Sequence, residues 1–407
     1  MIDLRSKALI QRLMLVTLLV SFFSYPILAS EDVSGSVTLE ARSFPETGAY
    51  EQQSKENYSM AATIKFETTW DQDRNIINLE LFYRADSTDK ERTHFDIREL
   101  SFQTSGEMWD VGLGIGRFFW GVTESQHLVD VINQTDAVEN FDGEQKLGQP
   151  FVKLSLLDVF GDFHFFVLPS FRERTFAGEK GRFRLALVVD TDNPIYESSA
   201  QEKHVDYAFR WEKTVDSLDL GVSHFSGTSR DPFLRAAVDA DGNAVLRPEY
   251  KLMNQTGVDI QVTLDNTLLK HESIYRNYND AGEADFFSQT SGFEYTFYGV
   301  VAQSDVGLLM EYLSHNKGED SGDSFEDDLF IAARITLNDV DSTEILAGVF
   351  KDRDTSTTVS RLEASRRVGD SLKVSFETLQ FNSIDDADAL TAFKKDSYYQ
   401  LGLSGYF

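Results

Sequence analysis

The residue type in this chain best suited to metal binding or catalysis is histidine, which occurs seven times. The spacing of these histidines does not favour a metal centre or a catalytic site. They stand at positions 94, 127, 164, 204, 224, 271 and 315. His94 and His204 each precede an aspartate by two residues, which on a strand puts a pair of side chains on one face without completing a ligand set. No nucleophile elbow, phosphate-binding loop or paired metalloprotease histidines occur. We therefore predict no metal site, no cofactor and no enzymatic activity.

A second group of residues places charge beside apolar side chains in one long link, Phe118 to Gly148. The segment before it has Gly112, Gly114 and Gly116 on a single face, which removes side chains and leaves space there. We predict that the link folds back into this space and narrows a passage, with its carboxylates facing arginines such as Arg84, Arg98 and Arg117. The alternative is an exposed loop with a small core of its own. The candidate constriction residues are Trp120, Glu124, Asp130, Asn133 and Asp136.

The elements that must position these residues are two-faced strands. Between residues 258 and 264, for example, Val258, Ile260 and Val262 alternate with Asp259 and Gln261. Because side chains alternate across a strand, each such segment has one apolar face and one polar face. The polar faces mix charges of both signs, which would be prohibitive in a dry core and are tolerable in a hydrated interior. The candidate residues for lining this interior are Arg42, Lys65, Glu80, Arg84, Arg210, Arg276, Glu294, Arg334 and Arg361.

The links between the strands alternate in length. Tight turns, such as Asp71 to Arg74 and Val368 to Ser371, alternate along the chain with longer polar links, such as Pro45 to Lys55 and Ser383 to Lys395. Alternating short turns and long loops are typical of a transmembrane antiparallel β-barrel, whose strands are even in number. We predict an all-β barrel of about 18 strands, with 16 as the alternative.

Composition sets further bounds on the chain. Aromatic residues are frequent (32 Phe, 15 Tyr and 4 Trp) and proline is rare (7), which favours strands. The absence of cysteine excludes disulfides, and the net charge of −29 excludes nucleic acid as a partner. Residues 1–29 read as a signal peptide with an apolar run too short to span a membrane, and residues 30–407 as a single barrel domain.

The last strand carries a resemblance to a known class. From Tyr399 to Phe407, alternate residues are Tyr399, Leu401, Leu403, Gly405 and Phe407, and the other face is mostly polar. This stretch resembles the C-terminal strand of Gram-negative outer-membrane β-barrels, which ends in phenylalanine and is read by the barrel-assembly machinery. Gly405 departs from the large apolar residue usual in that class. The segment with Trp120-Gly121 and then residues 130–133 also resembles part of a poorly characterised group of proteobacterial porin-like barrels.

The resemblance implies a protein of the outer membrane of a Gram-negative bacterium. We expect a porin-like channel for passive diffusion of small hydrophilic solutes, in contact with outer-membrane lipid and lipopolysaccharide, and a homotrimer is possible. The link Arg172 to Gln201 is basic enough to bind an anionic substrate or lipopolysaccharide phosphates, unless its cations only offset nearby acids. The alternatives are a transporter of hydrophobic or lipid-like substrates, a structural or adhesive surface barrel, and a barrel hydrolase.

Overall fold

Eighteen strands form one closed antiparallel sheet in the computed structural model, which describes residues 30–280, 282–317 and 325–407. Each strand pairs with the next main-sheet strand along the chain, and the last pairs with the first. The prediction of about 18 strands is confirmed, and the alternative of 16 is wrong. The signal peptide predicted for residues 1–29 lies outside the described residues. The barrel strands are β1 (Ser30–Ser43), β2 (Glu56–Trp70), β3 (Asn75–Asp86), β4 (His94–Ser105), β5 (Trp109–Gly116), β6 (Gln149–Asp158), β7 (Gly161–Leu168), β9 (Asp206–Val215), β10 (Leu218–Thr228), β13 (Leu252–Leu264), β14 (Thr267–Tyr278), β15 (Phe286–Val301), β16 (Ser304–His315), β17 (Asp327–Thr336), β18 (Glu344–Asp352), β19 (Thr358–Val368), β20 (Leu372–Ser383) and β21 (Tyr398–Tyr406).

Three further strands form a small sheet in the long links: β8 (Ile195–Tyr196), β11 (Phe233–Val238) and β12 (Ala244–Tyr250). Short 3-10 helices occupy Gln201–Lys203 and Ala389–Phe393. Among the described residues, no helix has the length and apolar character needed to cross a membrane.

The two faces of the strands divide as the sequence predicts. On β21, Leu401 and Leu403 are exposed on the outer face of the barrel, whereas Tyr398 and Gln400 are buried on the inner face. An outer wall of exposed aliphatic and aromatic side chains suits contact with lipid, because apolar surface on that side needs no shielding from water.

The links alternate between two ends of the barrel. One end, here the short-turn end, has tight turns such as the one between β2 and β3, where Asp71, Gln72 and Asp73 take positive φ angles. The other end, here the long-loop end, carries the links after β1, β3, β5 and β7 among others. The longest continuous links without a barrel strand, residues 117–148 and 169–205, both start from this end.

Glycine has a specific role in β5. Gly114 has a φ of +135°, and a Cβ there would lie 2.1 Å from the Leu100 carbonyl oxygen, so only glycine fits. At Gly116 a Cβ would meet the Phe151 ring at 3.0 Å. The space that the sequence predicts on this face is therefore filled by the ring of Phe151, against which Phe118 packs edge-on.

Candidate functional site: the lumen and its inner loop

Residues 117–148, which we call the inner loop, lie inside the barrel. They bond to inward-facing side chains on strands far apart around the wall, including Arg84 on β3, Glu272 on β14 and Arg361 on β19. Contacts with opposite parts of a closed wall are possible only from within the lumen. The inner loop therefore crosses the barrel interior, as the sequence predicts.

The strongest anchor is Glu272, which is fully buried at the middle of β14. Its Oε1 accepts hydrogen bonds from the backbone N–H groups of Val122 and Thr123, at 2.6 and 2.9 Å, and from the Thr123 hydroxyl at 2.7 Å. Its Oε2 accepts the Val129 N–H at 3.2 Å. A carboxylate that accepts several N–H and O–H donors remains ionised in a buried position, because these bonds replace its hydration shell.

Glu311 on β16 acts in the same way on the next part of the inner loop. It accepts hydrogen bonds from the backbone N–H groups of Glu124 and Ser125, both at 2.8 Å, and from the Ser125 hydroxyl at 2.5 Å. Two wall carboxylates, on β14 and β16, thus bind backbone N–H groups of residues 122–129, which every residue type except proline possesses.

Ion pairs complete the attachment on other sides of the lumen. Glu124 pairs with Arg334 of β17 at 2.7 Å. Asp142 pairs with Arg361 of β19 at 2.8 Å. On the opposite side, Arg84 donates to both carboxylate oxygens of Glu139, at 2.8 and 2.9 Å. Such bidentate pairs between arginine and carboxylate fix orientation as well as distance.

Two polar side chains shape the inner loop itself. Asp130 accepts the backbone N–H groups of Trp120 and Gly121 at 2.5 and 3.0 Å, and burial raises its pKa. Asn133 accepts the Phe118 N–H at 2.8 Å and donates to the carbonyls of residues 116 and 147. Asp130 and Asn133 therefore form hydrogen bonds within the inner loop and to its two ends. Their predicted role as constriction residues stays a prediction.

The inner loop is held to one side of the wall by a hydrophobic core. Val129 and Ile132 of the loop are almost fully buried, and Phe118 and Trp120 pack against the same cluster. These loop residues therefore pack as a core against the wall. The wall residues of this core are Phe151, Phe166, Leu168, Ala208, Phe225, Met253, Ile274, Tyr278 and Phe286, on β6, β7, β9, β10, β13, β14 and β15.

His127 joins the loop to its main anchor. Its Nε2 lies 3.2 Å from Glu144 and its Nδ1 lies 4.0 Å from Glu272. Burial opposes protonation of the imidazole, but the two carboxylates outweigh it and raise the pKa of His127 to about 10. The ring is therefore a cation at neutral pH.

One group in the described residues has ligand atoms close enough for a metal ion: His94, Asp136 and Glu139, all within 4.8 Å. His94 Nε2 already bonds to Asp136 at 3.0 Å, and Glu139 is bound by Arg84. Since cations of the protein already neutralise these carboxylates, we assign the group to attachment of the loop.

The other residues predicted to line the lumen lie on inner faces and are mostly paired. Lys65 and Arg117 bind Glu80 at 3.2 and 2.8 Å. Arg210 binds Asp259 at 2.7 Å.

Arg276 binds Asp231 at 2.9 Å, and Arg42 donates to Gln400 at 2.8 Å. Glu294 lies 3.6 Å from Arg334. The structure thus groups these side chains in pairs around the wall, and a role in solute passage stays a prediction.

The basic link that follows β7 crosses the long-loop end. Arg172 pairs with Asp96 at 2.7 Å, and Arg182 pairs with Asp396 at 2.7 Å. Arg182 also donates to the carbonyls of residues 46 and 54, both at 3.2 Å. These cations bind groups of the protein itself, which accounts for their number in an acidic chain. Within this link, Val189 forms an isolated β-bridge with Leu246.

Comparison with known proteins supports the same architecture. Wzi of Escherichia coli, an outer-membrane carbohydrate-binding β-barrel involved in group 1 capsule assembly, aligns with a TM-score of 0.52 and 11% identity, over 91% of this chain and 83% of Wzi. The chain has the fold of a porin-like outer-membrane β-barrel. OprB of Pseudomonas putida aligns at 0.46 and 11% identity over 93% and 94% of the two chains, and a mutant of Rh. blastica porin at 0.46 and 13% over 93% and 100%. No protein-family model and no curated protein sequence matches this sequence.

Sequence reasoning places Glu272 and Glu311 of this barrel on inner faces but does not reveal their partners. Each binds backbone amides about 150 to 190 residues earlier in the chain, and a backbone amide has no signature in the sequence. Lys146, by contrast, is distinctive in the sequence, because it is the single lysine or arginine between residues 118 and 148.

Proposed function

We propose that the protein is an outer-membrane channel through which small hydrophilic solutes diffuse past the inner loop. The observation that carries this proposal is the unequal attachment of the loop. Towards β6–β15 it packs through a large hydrophobic core, whereas towards β17 it is joined by the ion pair of Glu124 with Arg334. Towards β19 the ion pair of Asp142 is accompanied by one aromatic side chain of the loop, Phe141, which packs on a smaller core with Val359 and Phe381. A gap spanned by ion pairs admits water far more readily than a close-packed core.

Exposure of charged side chains supports a hydrated passage on the β17–β19 side. The side chains of Arg334 and Glu363, on inner faces of β17 and β19, are 39% and 37% exposed. On the other side of the lumen, Arg210 and Arg276 are 8% exposed, while Glu212, three residues before the short-turn end of β9, is 43% exposed. We therefore place the solute path between the inner loop and the β17–β19 wall.

Single-cysteine labelling tests this path, because the native chain contains no cysteine. In planar bilayers we expect the wild-type protein to conduct and Glu363→Cys to lose about half or more of its conductance after a charged methanethiosulfonate reagent is added. Leu362→Cys is the matched control, since the neighbouring side chain lies on the outer face of β19. Conductance that responds equally to labelling at both positions, or at neither, would contradict the proposed path.

A second candidate function is a ligand-binding surface barrel that does not conduct. The observation that favours it is the position of the link after β7 across the long-loop end, where Arg182 joins it to Asp396 in the β20–β21 link and to two carbonyls of the β1–β2 link. Wzi, which shares the fold, is a carbohydrate-binding barrel. A wild-type protein that is folded in the bilayer and shows no conductance with any small solute would favour this candidate over the channel.

A further inference from the structure

A cavity of about 270 Å³ lies between the inner loop and the wall near the long-loop end. Its wall side includes Arg276, two residues before the end of β14, and Phe286, at the start of β15. Its loop side includes Asp130 and Lys146. The volume is close to the lower end of the range of small-molecule sites, about 300 Å³.

The lining of this cavity is positively charged in a strongly acidic protein. Among the described residues that line it, five cationic side chains contribute, against the two carboxylates Asp130 and Asp231. The chain as a whole carries −29, so the cavity reverses the general sign of the molecule. The cationic side chains are those of His127, Lys146, Arg230, Arg276 and Lys317.

Lys146 is the least compensated of these cations. Its Nζ donates to the Thr135 hydroxyl at 3.1 Å, and no carboxylate oxygen of the described residues lies within the 4.0 Å of an ion pair. Burial lowers the pKa of Lys146, and the more distant Asp130 and Asp231 oppose that shift. An ammonium group placed in this way gains from a bound anion, which would supply the missing partner.

Two further lining residues carry a polar atom without a hydrogen-bond partner. Arg230 is 5% exposed, and its Nη2 donates to nothing among the described residues, although Nη1 pairs with Asp206. Asp130 Oδ2 accepts nothing in the same part of the chain, whereas Oδ1 accepts two backbone N–H groups. A buried donor or acceptor without a partner destabilises the folded protein, because it has lost its hydrogen bonds to water. Because Arg230 Nη2 is a donor and Asp130 Oδ2 is an acceptor, a ligand that carries both an acceptor and a donor would satisfy the two atoms.

An apolar surface completes the lining. Ile274, Phe286 and Phe325 all border the cavity, and Lys317 lies 4.0 Å above the Phe286 ring. The face of a small ring with C–H groups would pack on such a surface while its polar edge points to the charged residues.

We propose that this cavity is a binding site for a small hydroxylated carboxylate of the sugar-acid class. The carboxylate binds between Lys146 and Arg276, a hydroxyl donates to Asp130, and the ring face packs on Phe286. The proposal rests on the proposed function in one respect, because it names a solute class that the channel would admit. Binding itself does not require conduction and can be measured alone.

Titration calorimetry on the purified full-length protein, with D-galacturonate and D-galactose as probes, tests the charge requirement. The two sugars differ at one carbon, which bears a carboxylate in the first and a hydroxymethyl group in the second. We expect galacturonate to bind at least tenfold more tightly than galactose, with the difference shrinking as salt is raised. Equal affinities, or no binding of galacturonate, would overturn the proposal.

Two lysine variants locate the site. Lys146→Gln should weaken galacturonate binding about tenfold and leave galactose binding unchanged. Lys270→Gln is the matched control, since residue 270 lies on the same inner face of β14 but six residues, or about 20 Å, from Arg276. A loss of affinity in Lys270→Gln as large as that in Lys146→Gln would overturn the assignment to this cavity.

Bilayer recordings on the same preparations separate this proposal from the channel. Galacturonate binding without conductance would remove the channel and retain the site. Conductance without galacturonate binding would retain the channel and remove the site.

Discussion

At the scale of single residues, the molecule depends on wall carboxylates that bind backbone amides. Glu272 has both of its oxygens occupied, three donors on one and one on the other. We predict that Glu272→Gln loosens the inner loop. The amide NH2 group cannot accept a hydrogen bond, so it would face either the N–H groups of residues 122 and 123 or the N–H group of Val129 without bonding to them. The cost should be about 1–3 kcal/mol, which corresponds to roughly tenfold faster proteolysis within residues 118–148.

Glu99→Gln is a suitable control for that experiment. Glu99 is also an acid facing the lumen, but its one hydrogen bond in the described residues is from Ser101, on its own strand. We expect its proteolysis to match that of the wild type. Rapid cleavage of the inner loop in both variants, or in neither, would show that Glu272 does not hold the loop.

At the scale of elements, the inner loop shows what the sequence can and cannot predict. Its inward fold was predictable from apolar residues that are unusual in an exposed loop, such as Ile132, whereas the space beside the β5 glycines is filled by Phe151 of the wall. The partners of the loop were not predictable. From the sequence, we expect the loop acids to face arginines such as Arg84, Arg98 and Arg117. Glu139 does bind Arg84, whereas Glu124 and Asp142 bind Arg334 and Arg361, more than 200 residues later. Charge patterns restrict the sign of a partner, and only the closed sheet decides which one is within reach.

The attachment of the inner loop should weaken at alkaline pH through deprotonation of His127. Its pKa of about 10 lies above the ordinary value of 6.5, so protonation favours the docked loop. This contribution, on the order of a few kcal/mol, is fully present below pH 6.5 and is lost as pH rises through about 10. We predict that the wild-type loop becomes protease-sensitive between pH 8 and 10.5. His127→Gln should be equally sensitive at pH 7 and at pH 10; a wild-type transition that persists in this variant would assign the effect to another group.

At the scale of the whole molecule, closure of the sheet was the most predictable property. Alternation within strands and alternation of link length both follow from local sequence, and together they predicted the closed barrel and its strand number. Closure itself is long-range: β1 and β21 pair from Ser36 with Tyr406 to Ser43 with Tyr399. The backbone of Phe407 adds two more bonds, since Gly35 N–H donates to its carbonyl at 2.9 Å and its own N–H donates to Gly35 at 3.1 Å.

Phe407 therefore has one observed role and one predicted role, which can be tested separately. Its backbone closes the barrel, while its side chain, 56% exposed on the outer face, is our predicted signal for the barrel-assembly machinery. We predict that Phe407→Ala lowers the amount of folded protein in cell membranes severalfold, because recognition needs the ring. The purified variant should refold into lipid vesicles as well as the wild type, because both backbone bonds remain. Leu372→Ala, which shortens another exposed outer side chain beside the same strand end, should assemble normally. Normal membrane levels of Phe407→Ala would refute the recognition role, and failure of that variant to refold in vesicles would assign the ring to stability instead.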